Sequence, residues 1–192
     1  RCGYHSRRFD LDGRMRFMPA FEDAHDFPSP ADDLPPVPFA DLGALLAFAS
    51  VAPAAPFEEV FAPIEHRLSW LPWSDFVPDA ARSRDYEFEA HWALYVENYL
   101  ESLHIPFVHA GLSATLDLAD YRHESHPHAT LQLAAARPGE PAFDDLPAAS
   151  PEHGRRIAAY YWWVFPNLML NFYPWGLSLN LVVPLAPART RV

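Results

Sequence analysis

Short apolar segments separated by turn residues fill the second half of the sequence, and this pattern constrains the fold more than any other feature. Segments of this length and composition are typical of β-strands. The four candidates are residues 130–134, 158–165, 168–172 and 177–183. Pro166-Asn167 and the stretch Pro174 to Gly176 separate the last three segments, which predicts hairpins. We therefore expect an antiparallel sheet and, with the helices predicted below, an α+β fold.

The first 55 residues show a different organisation. Asp12 and Gly13 lie between alternating segments, which is a hairpin signal and predicts a small β unit in residues 1–20. Residues 22–38 are acidic and proline-rich, which predicts a loop. The apolar run 45–51 is compatible with a buried strand or a turn of helix, and we favour the strand.

Two helices and one further strand are predicted between these regions. Apolar residues follow helical spacing from Phe57 to Leu68, with Pro63 as a point where the helix could kink. Residues 84–90 alternate like a strand. Residues 92–104 form the next predicted helix, with a stop signal at Pro106.

Charge and composition exclude several classes of function. The formal net charge is −11, and all 14 basic side chains are arginines. An acidic surface without a basic stripe argues against nucleic acid or an anionic membrane as the partner. No apolar run approaches the roughly 20 residues that a membrane helix needs. The single cysteine, Cys2, excludes an internal disulfide framework and fits a reducing cytoplasm. Both ends of the sequence fall within patterned stretches, so we expect a piece of a longer protein.

The pair His104 and His109 is the strongest chemical signal. An iron site that activates dioxygen uses two neutral imidazoles and one carboxylate on one face of the metal. On a continuous helix these side chains would lie roughly 140° apart and could not share an ion. Pro106 is expected to end the helix after His104, so that the chain turns and brings His109 back.

Glu101 precedes His104 by three residues, which places both side chains on one face of the predicted helix. Glu101 is therefore the predicted hydrogen-bond partner of this imidazole. The alternative is that these are ordinary polar residues at a helix end. The acidic residue, Asn98 and the proline together favour the metal site.

Cys2 and His5 form the second signal. A Rieske [2Fe–2S] centre binds two cysteines on one iron and two histidines on the other. The two-residue gap between Cys2 and His5 is that of the second half of such a ligand set. A Cys-x-x-His alone is weak, but the residues from Phe9 to Arg14 that follow make it more specific.

Together the two stretches resemble the α subunit of the Rieske non-haem iron oxygenases, the ring-hydroxylating dioxygenase family in its broad sense. The Rieske domain of that family ends in a Cys-x-x-His loop, an aromatic residue and an Asp-Gly turn. These positions are matched here by Cys2, His5, Phe9, Asp12 and Gly13. The catalytic domain carries an acidic residue and two histidines, matched by Glu101, His104 and His109.

Residues 96–101, 105–109 and 167–174 are similar to the choline and carnitine monooxygenase branch, which acts on quaternary ammonium compounds. The resemblance implies three regions. Residues 1–55 would be the C-terminal part of an all-β Rieske domain and residues 56–82 a linker with a helix. Residues 83–192 would be the N-terminal part of a catalytic domain of the helix-grip (START-like) type.

The resemblance also implies cofactors, partners and roles. The cofactors are a [2Fe–2S] cluster, held in part by Cys2 and His5, and Fe(II), held by His104 and His109. Electrons from a separate reductase or ferredoxin would pass from the cluster through Glu101 to the iron of a neighbouring subunit in a homotrimer. The iron then uses O₂ on a small-molecule substrate. A cation–π pocket would suit an ammonium group, with Tyr99, Phe172 and Tyr173 as candidates.

The sequence departs from the family pattern in four places. The third iron ligand of the family is an Asp beyond residue 192, and the first half of the cluster ligands would lie before residue 1. Leu103 stands where the family commonly has Tyr, and Arg7 where it often has Trp. We therefore expect these residues alone to be inactive.

Two other functions were weighed. A metal-free helix-grip module could bind a small lipophilic ligand, but such a carrier has no need for His104 and His109. A structural zinc site using the histidines and Glu101 would need a fourth ligand nearby.

Overall fold

The structure is a computed structural model that describes residues 1–43 and 45–192. The chain divides into two compact units. One comprises residues 1–40 and 47–54, and the other comprises residues 41–46 and 55–192.

The smaller unit begins with the predicted hairpin. Strands β1 (Arg8–Phe9) and β2 (Met15–Phe17) pair antiparallel. Gly13 adopts φ +88° in the connecting turn, a conformation that most other residues adopt only with strain. A single 3-10 turn (Pro30–Asp32), capped by Ser29, interrupts the predicted loop. The strand favoured within residues 45–51 is confirmed, since β3 (Phe39–Leu42) and β4 (Leu46–Ala49) form a two-stranded sheet.

The larger unit contains all four α-helices among the described residues. They are α1 (Phe57–Arg67), α2 (Trp92–Leu100), α3 (Ile105–Val108) and α4 (Ala110–Thr115). Pro63 lies inside α1, whose buried side chains are Phe61 and Ile64. A 3-10 turn (Trp73–Asp75) and the short strand β5 (Glu87–Phe88) lie between α1 and α2. No helix of residues 1–43 and 45–192 is long and apolar enough to cross a membrane.

An antiparallel five-stranded sheet follows the helices. Its strands are β6 (Leu116–Ser125), β7 (Ala129–Ala136), β8 (Ile157–Val164), β9 (Leu168–Tyr173) and β10 (Gly176–Leu181). They lie in the order β10-β9-β8-β7-β6, so each strand pairs with its neighbour in sequence. The hairpins predicted at residues 166–167 and 174–176 are confirmed. Strands β11 (Val183–Ala186) and β12 (Arg189–Arg191) join β5 in a separate three-stranded sheet.

Successive side chains of a strand point to opposite sides of a sheet. The central strands β7, β8 and β9 are buried on both sides. On one side, Tyr160 packs its ring against Trp70 and Phe143. On the other side, Val96 of α2 packs against Met169 and Val182. The mixed helix and antiparallel-sheet architecture is the predicted one.

Arg67, at the end of α1, forms a buried ion network with the sheet region. Its Nη2 lies 2.5 Å from Glu124 Oε1 and 2.8 Å from Glu152 Oε1. The Glu152 side chain is 2% exposed, and the hydroxyl of Tyr160 donates to its Oε2 at 3.2 Å. The network fixes the C-terminal end of α1 to β6 and to the loop before β8.

Two predictions of local structure were wrong in extent. The predicted helix 92–104 ends at Leu100, and Pro106 lies in the first turn of α3 rather than after the end of a helix. Proline is tolerated there because first-turn N–H groups have no intrahelical partner. The strand predicted at residues 84–90 shrinks to β5. The long strand β6, which the sequence did not delimit, begins at Leu116.

Candidate metal centre

The two histidines flank the single turn of α3. His104 is the N-cap with φ −76° and ψ −20°, and His109 follows the last residue with φ −114° and ψ 71°. Their rings lie 4.9 Å apart between centroids, at an interplanar angle of 74°. The chain therefore brings the imidazoles together as predicted, but through one complete short helix that begins with Pro106 in its first turn.

Glu101 lies between α2 and α3 with an extended backbone, φ −104° and ψ 156°. Its Oε2 accepts hydrogen bonds from the backbone N–H of Leu103 at 2.6 Å and of His104 at 3.2 Å. Its Oε1 lies at hydrogen-bond distance from Nδ1 of His104. The predicted contact between Glu101 and His104 is present, although a turn and not a shared helix face creates it.

The carboxylate determines the tautomer of His104. An ionised carboxylate only accepts hydrogen bonds, so the proton lies on Nδ1 and the lone pair of Nε2 is free for a metal. The amide nitrogen of Asn98 lies 3.4 Å from the same Nδ1, at the long limit of hydrogen bonding. The charged carboxylate of Glu101 is therefore the stronger hydrogen-bond partner of Nδ1.

The environment of Glu101 favours its charged form. Desolvation acts to raise its pKa, but the hydrogen bonds from the His104 side chain and from the N–H groups of Leu103 and His104 outweigh this effect. The net result is a pKa below that of an ordinary glutamate. Glu101 is therefore a carboxylate at neutral pH, as its contact with His104 requires.

The donor set fits part of an iron site. Two imidazoles on one short turn, one of them fixed by a carboxylate through its other nitrogen, match two of the three protein ligands of a facial triad. Within residues 1–43 and 45–192, however, no group of three His, Cys, Asp or Glu side chains is placed to hold a metal ion. The described residues thus bring two imidazoles together without a third candidate ligand beside them.

Cys2 and His5 lie together in a tight turn of the smaller unit. The N–H of Ser6 donates to the carbonyl of Cys2 at 3.1 Å, and the N–H of Cys2 donates to the carbonyl of Arg7 at 2.8 Å. Hydrogen bonds from the backbone N–H groups of Tyr4 and His5 lower the pKa of the exposed Cys2 thiol. A thiol whose pKa is lowered, with an imidazole three residues away, is compatible with half of a Rieske ligand set.

A cluster of tyrosines lies on the α2 side of the sheet, and only Tyr99 and Tyr173 among its tyrosines were predicted from the sequence as pocket residues. Leu116, Ala134, Ala159 and Tyr161 form its buried base, with Tyr99, Tyr121 and Tyr173 packed against them. Burial raises the pKa of each of these four phenols. Of the three residues predicted to line a substrate pocket, Tyr99 and Tyr173 belong to this cluster, whereas Phe172 contacts Trp73, at 5.5 Å between ring centroids.

Two buried amides accompany the tyrosines. The hydroxyl of Tyr99 donates to Asn171 Oδ1 at 2.7 Å, and that of Tyr121 donates to Gln132 Oε1 at 3.0 Å. Gln132 is 2% and Asn171 5% exposed. Each amide is a polar residue within an otherwise apolar strand segment. That pattern could have identified both residues from the sequence, because a buried polar group needs a hydrogen-bond partner.

A separate cleft of about 320 Å³ lies beside β6 and β7. Its lining includes Asp117, Asp120, Arg155 and Arg156. It contains none of the five predicted site residues, and Arg155 and Asp120 already form an ion pair at 2.6 Å. The cleft therefore does not bear on the proposed metal chemistry.

Comparison with known proteins identifies the family. Residues 79–192 match the ring hydroxylating alpha subunit (catalytic domain) family, and the chain belongs to this family. It is 34% identical to the chloroplastic choline monooxygenase of Arabidopsis thaliana over 113 residues, which are 57% of this chain and 24% of that protein. It is 29% identical to the carnitine monooxygenase oxygenase subunit of Escherichia coli K12 over 174 residues, which are 90% of this chain and 45% of that protein. The chain thus spans less than half the length of these relatives.

Solved structures of related enzymes share the fold. The quaternary ammonium Rieske monooxygenase CntA, in complex with an inhibitor, superimposes with a TM-score of 0.70 at 20% identity. The match covers 99% of this chain and 49% of that one. Naphthalene 1,2-dioxygenase from Rhodococcus sp. gives a TM-score of 0.64 at 23% identity and covers 100% of this chain and 52% of that one.

Proposed function

We propose that the chain is part of the oxygenase component of a Rieske-type oxygenase. The reaction is the O₂-dependent hydroxylation or demethylation of a small organic substrate, with electrons from a separate reductase or ferredoxin. The observation that carries the proposal is the pair His104 and His109, 4.9 Å apart between ring centroids, with the proton-bearing nitrogen of His104 held by Glu101. Membership of the ring-hydroxylating family supports it.

In this proposal the chain has three regions. Residues 1–55 are the end of the Rieske domain, residues 56–82 are the linker with a helix, and residues 83–192 are the start of the helix-grip catalytic domain. Cys2 and His5 are ligands of the [2Fe–2S] cluster. The hydrogen bonds from Tyr4 and His5 that lower the pKa of Cys2 support this role, because the thiolate is the metal-binding form.

His104 and His109 are the histidine ligands of the mononuclear site. When bound there, Fe(II) supplies the redox centre at which dioxygen is reduced. Glu101 keeps the proton of His104 on Nδ1 and so directs Nε2 toward the metal.

Glu101 has a second role in the proposal, as the electron-transfer bridge. It joins His104 of one subunit to the cluster histidine, His5, of its neighbour, in a homotrimer. The side chain of Glu101 is 36% exposed, so one edge of the carboxylate remains accessible to a partner group. We place the protein in the cytoplasm, which agrees with a single reduced cysteine.

Quaternary ammonium compounds are the first substrate class to test, and aromatic compounds are the second. The curated relatives quoted above act on choline and carnitine, and one structural relative is a naphthalene dioxygenase. The aromatic cluster of Tyr99, Tyr121, Tyr161 and Tyr173 supports the first class, because aromatic faces attract cations.

The proposal is tested by metal analysis of the full-length gene product. His104→Ala should remove the mononuclear iron and leave the cluster iron and its absorption in place. His66→Ala is the matched control, because His66 is an exposed histidine on α1. Mononuclear iron retained in His104→Ala would contradict the assignment, whereas a wild-type protein that contains only the cluster iron would favour a metal-free binding module.

A further inference from the structure

The end of α2 is set by an exchange of hydrogen-bond partners. In a continuous helix the carbonyl of Tyr99 would accept from the N–H of Leu103, four residues later. Here the N–H of Leu103 donates to Glu101 Oε2 at 2.6 Å instead. The carbonyl of Tyr99 accepts from Nε2 of Gln132 at 2.6 Å. The donor and the acceptor of one helical hydrogen bond therefore have different partners here. Glu101 binds the N–H of Leu103, and Gln132 binds the carbonyl of Tyr99.

The orientation of the Gln132 amide is unambiguous. A backbone carbonyl can only accept, so the group that faces Tyr99 must be the NH₂ of Gln132. The oxygen of the amide then faces Tyr121, whose hydroxyl donates to it at 3.0 Å. Gln132 is 2% exposed, so water does not compete for either contact. Gln132 and Tyr121 therefore form a fixed support under the last turn of α2.

Tyr99 is held by its side chain as well. Its hydroxyl donates to Asn171 Oδ1 at 2.7 Å and lies 3.2 Å from the carbonyl oxygen of Trp162. The residue two positions before Glu101 is thus fixed to three strands of the sheet, β7, β8 and β9. The start of the extended backbone at Glu101 is fixed with it.

We propose that Gln132 is a positioning residue for the iron site, acting through Glu101. By occupying the carbonyl of Tyr99 it stops α2 at Leu100 and leaves the N–H groups of Leu103 and His104 to Glu101. Glu101 can then hold the imidazole of His104. Without Gln132, the carbonyl of Tyr99 competes with Glu101 for the N–H of Leu103, and α2 lengthens. Glu101 then no longer hydrogen-bonds the imidazole of His104. This inference rests on the proposed function, because it assigns the residue to that same site.

The test uses the full-length gene product with Gln132→Met and Gln132→Leu, which remove the amide and keep an apolar side chain of similar size. Fe(II) affinity, measured by competition with a chelator, should fall about tenfold, the range for losing an outer partner of a metal ligand. The EPR spectrum of the nitric oxide adduct of the iron should change its rhombicity. Thr130→Val is the matched control, since Thr130 lies two residues away on the same face of β7 and its hydroxyl has no partner among the described residues.

Two measurements distinguish a positioning role of Gln132 from a general contribution to stability. In metal-free protein, hydrogen–deuterium exchange of the segment 99–104 should change in Gln132→Met and not in Thr130→Val. In a Glu101→Ala background, Gln132→Met should have little further effect on Fe(II) affinity, because the route through Glu101 is already broken. Equal losses in both backgrounds would overturn the proposal.

The remaining outcomes are also decisive. If the Gln132 variants do not fold, Tyr121→Phe replaces them. This substitution removes the hydrogen bond to the amide oxygen of Gln132 and leaves the Gln132 side chain unchanged. It should lower Fe(II) affinity by a smaller factor than the Gln132 substitutions do. Wild-type affinity and EPR spectrum in the folded variants, together with iron loss in His104→Ala, would overturn this inference alone. Iron retained in His104→Ala would instead overturn the proposed function.

Discussion

Glu101 contacts His104 twice, at the backbone N–H through Oε2 at 3.2 Å and at the ring nitrogen Nδ1 through Oε1. One carboxylate therefore holds the backbone immediately before α3 and orients the imidazole. The two effects are separable by substitution, because an amide oxygen still accepts from the backbone but carries no charge.

Glu101→Gln in the full-length gene product should keep both metals and lose most of its turnover. The amide oxygen still accepts from the backbone N–H groups before α3, whereas the proposed link between His104 and the neighbouring cluster is weakened. A fall of 10- to 100-fold is the expected range for an outer partner of a metal ligand. Single-turnover oxidation of the reduced cluster measures the step directly. Glu97→Gln, an exposed substitution one turn earlier on α2, is the control. Wild-type coupling in Glu101→Gln would remove its proposed role.

The network around Arg67 gives a prediction about stability. Arg67→Ala leaves the buried carboxylate of Glu152 without its cation, which should cost about 3 kcal/mol of unfolding free energy. Arg189→Ala is the contrast, because its pair with Glu87 is exposed and such pairs contribute roughly 0–1 kcal/mol. Urea denaturation of both variants measures the difference. Equal losses of unfolding free energy in the two variants would contradict the claim that the buried ion pair is the more stabilising one.

The buried phenols predict a loss of stability at alkaline pH. Burial raises the pKa of Tyr99, Tyr121, Tyr161 and Tyr173 above the ordinary value near 10. The unfolded chain therefore releases these protons more readily than the folded chain. Below about pH 10 the phenols are neutral in both states and stability is unaffected by them, and above it stability falls as pH rises.

Difference titration of tyrosinate absorbance checks this prediction. Tyr161→Phe should remove a component that appears only as the protein unfolds. A Tyr161 component that ionises while the protein is still folded would contradict the raised pKa of this phenol.

The sheet could be predicted from sequence because its strands are short, apolar and separated by strong turn signals. The segment 168–172 became β9 (Leu168–Tyr173), and the segment 158–165 became β8 with one residue gained and one lost. The hairpin at Gly13 followed from the same local chemistry. Each of these predictions depends on residues close in sequence, where periodicity is informative.

The end of α2 could not be predicted, because the competing partner of Tyr99 is Gln132, 33 residues away. Local pattern favours a helix to His104, whereas α2 ends at Leu100, where Gln132 binds the carbonyl of Tyr99 and Glu101 binds the N–H of Leu103. The pairing of Tyr121 with Gln132 escaped for the same reason. The histidine pair itself was predicted in advance, since its spacing and the nearby proline and glutamate are local signals.

The one-turn helix between His104 and His109 has an entropic consequence. The fixed φ of Pro106 and the hydrogen bond from the N–H of His109 to the carbonyl of Ile105, at 3.1 Å, order the intervening residues when the chain folds. In the proposed iron site, the two imidazoles would therefore be held close together before a metal ion binds. A metal ion that binds there does not have to close the loop between them, so its affinity reflects coordination more than chain ordering.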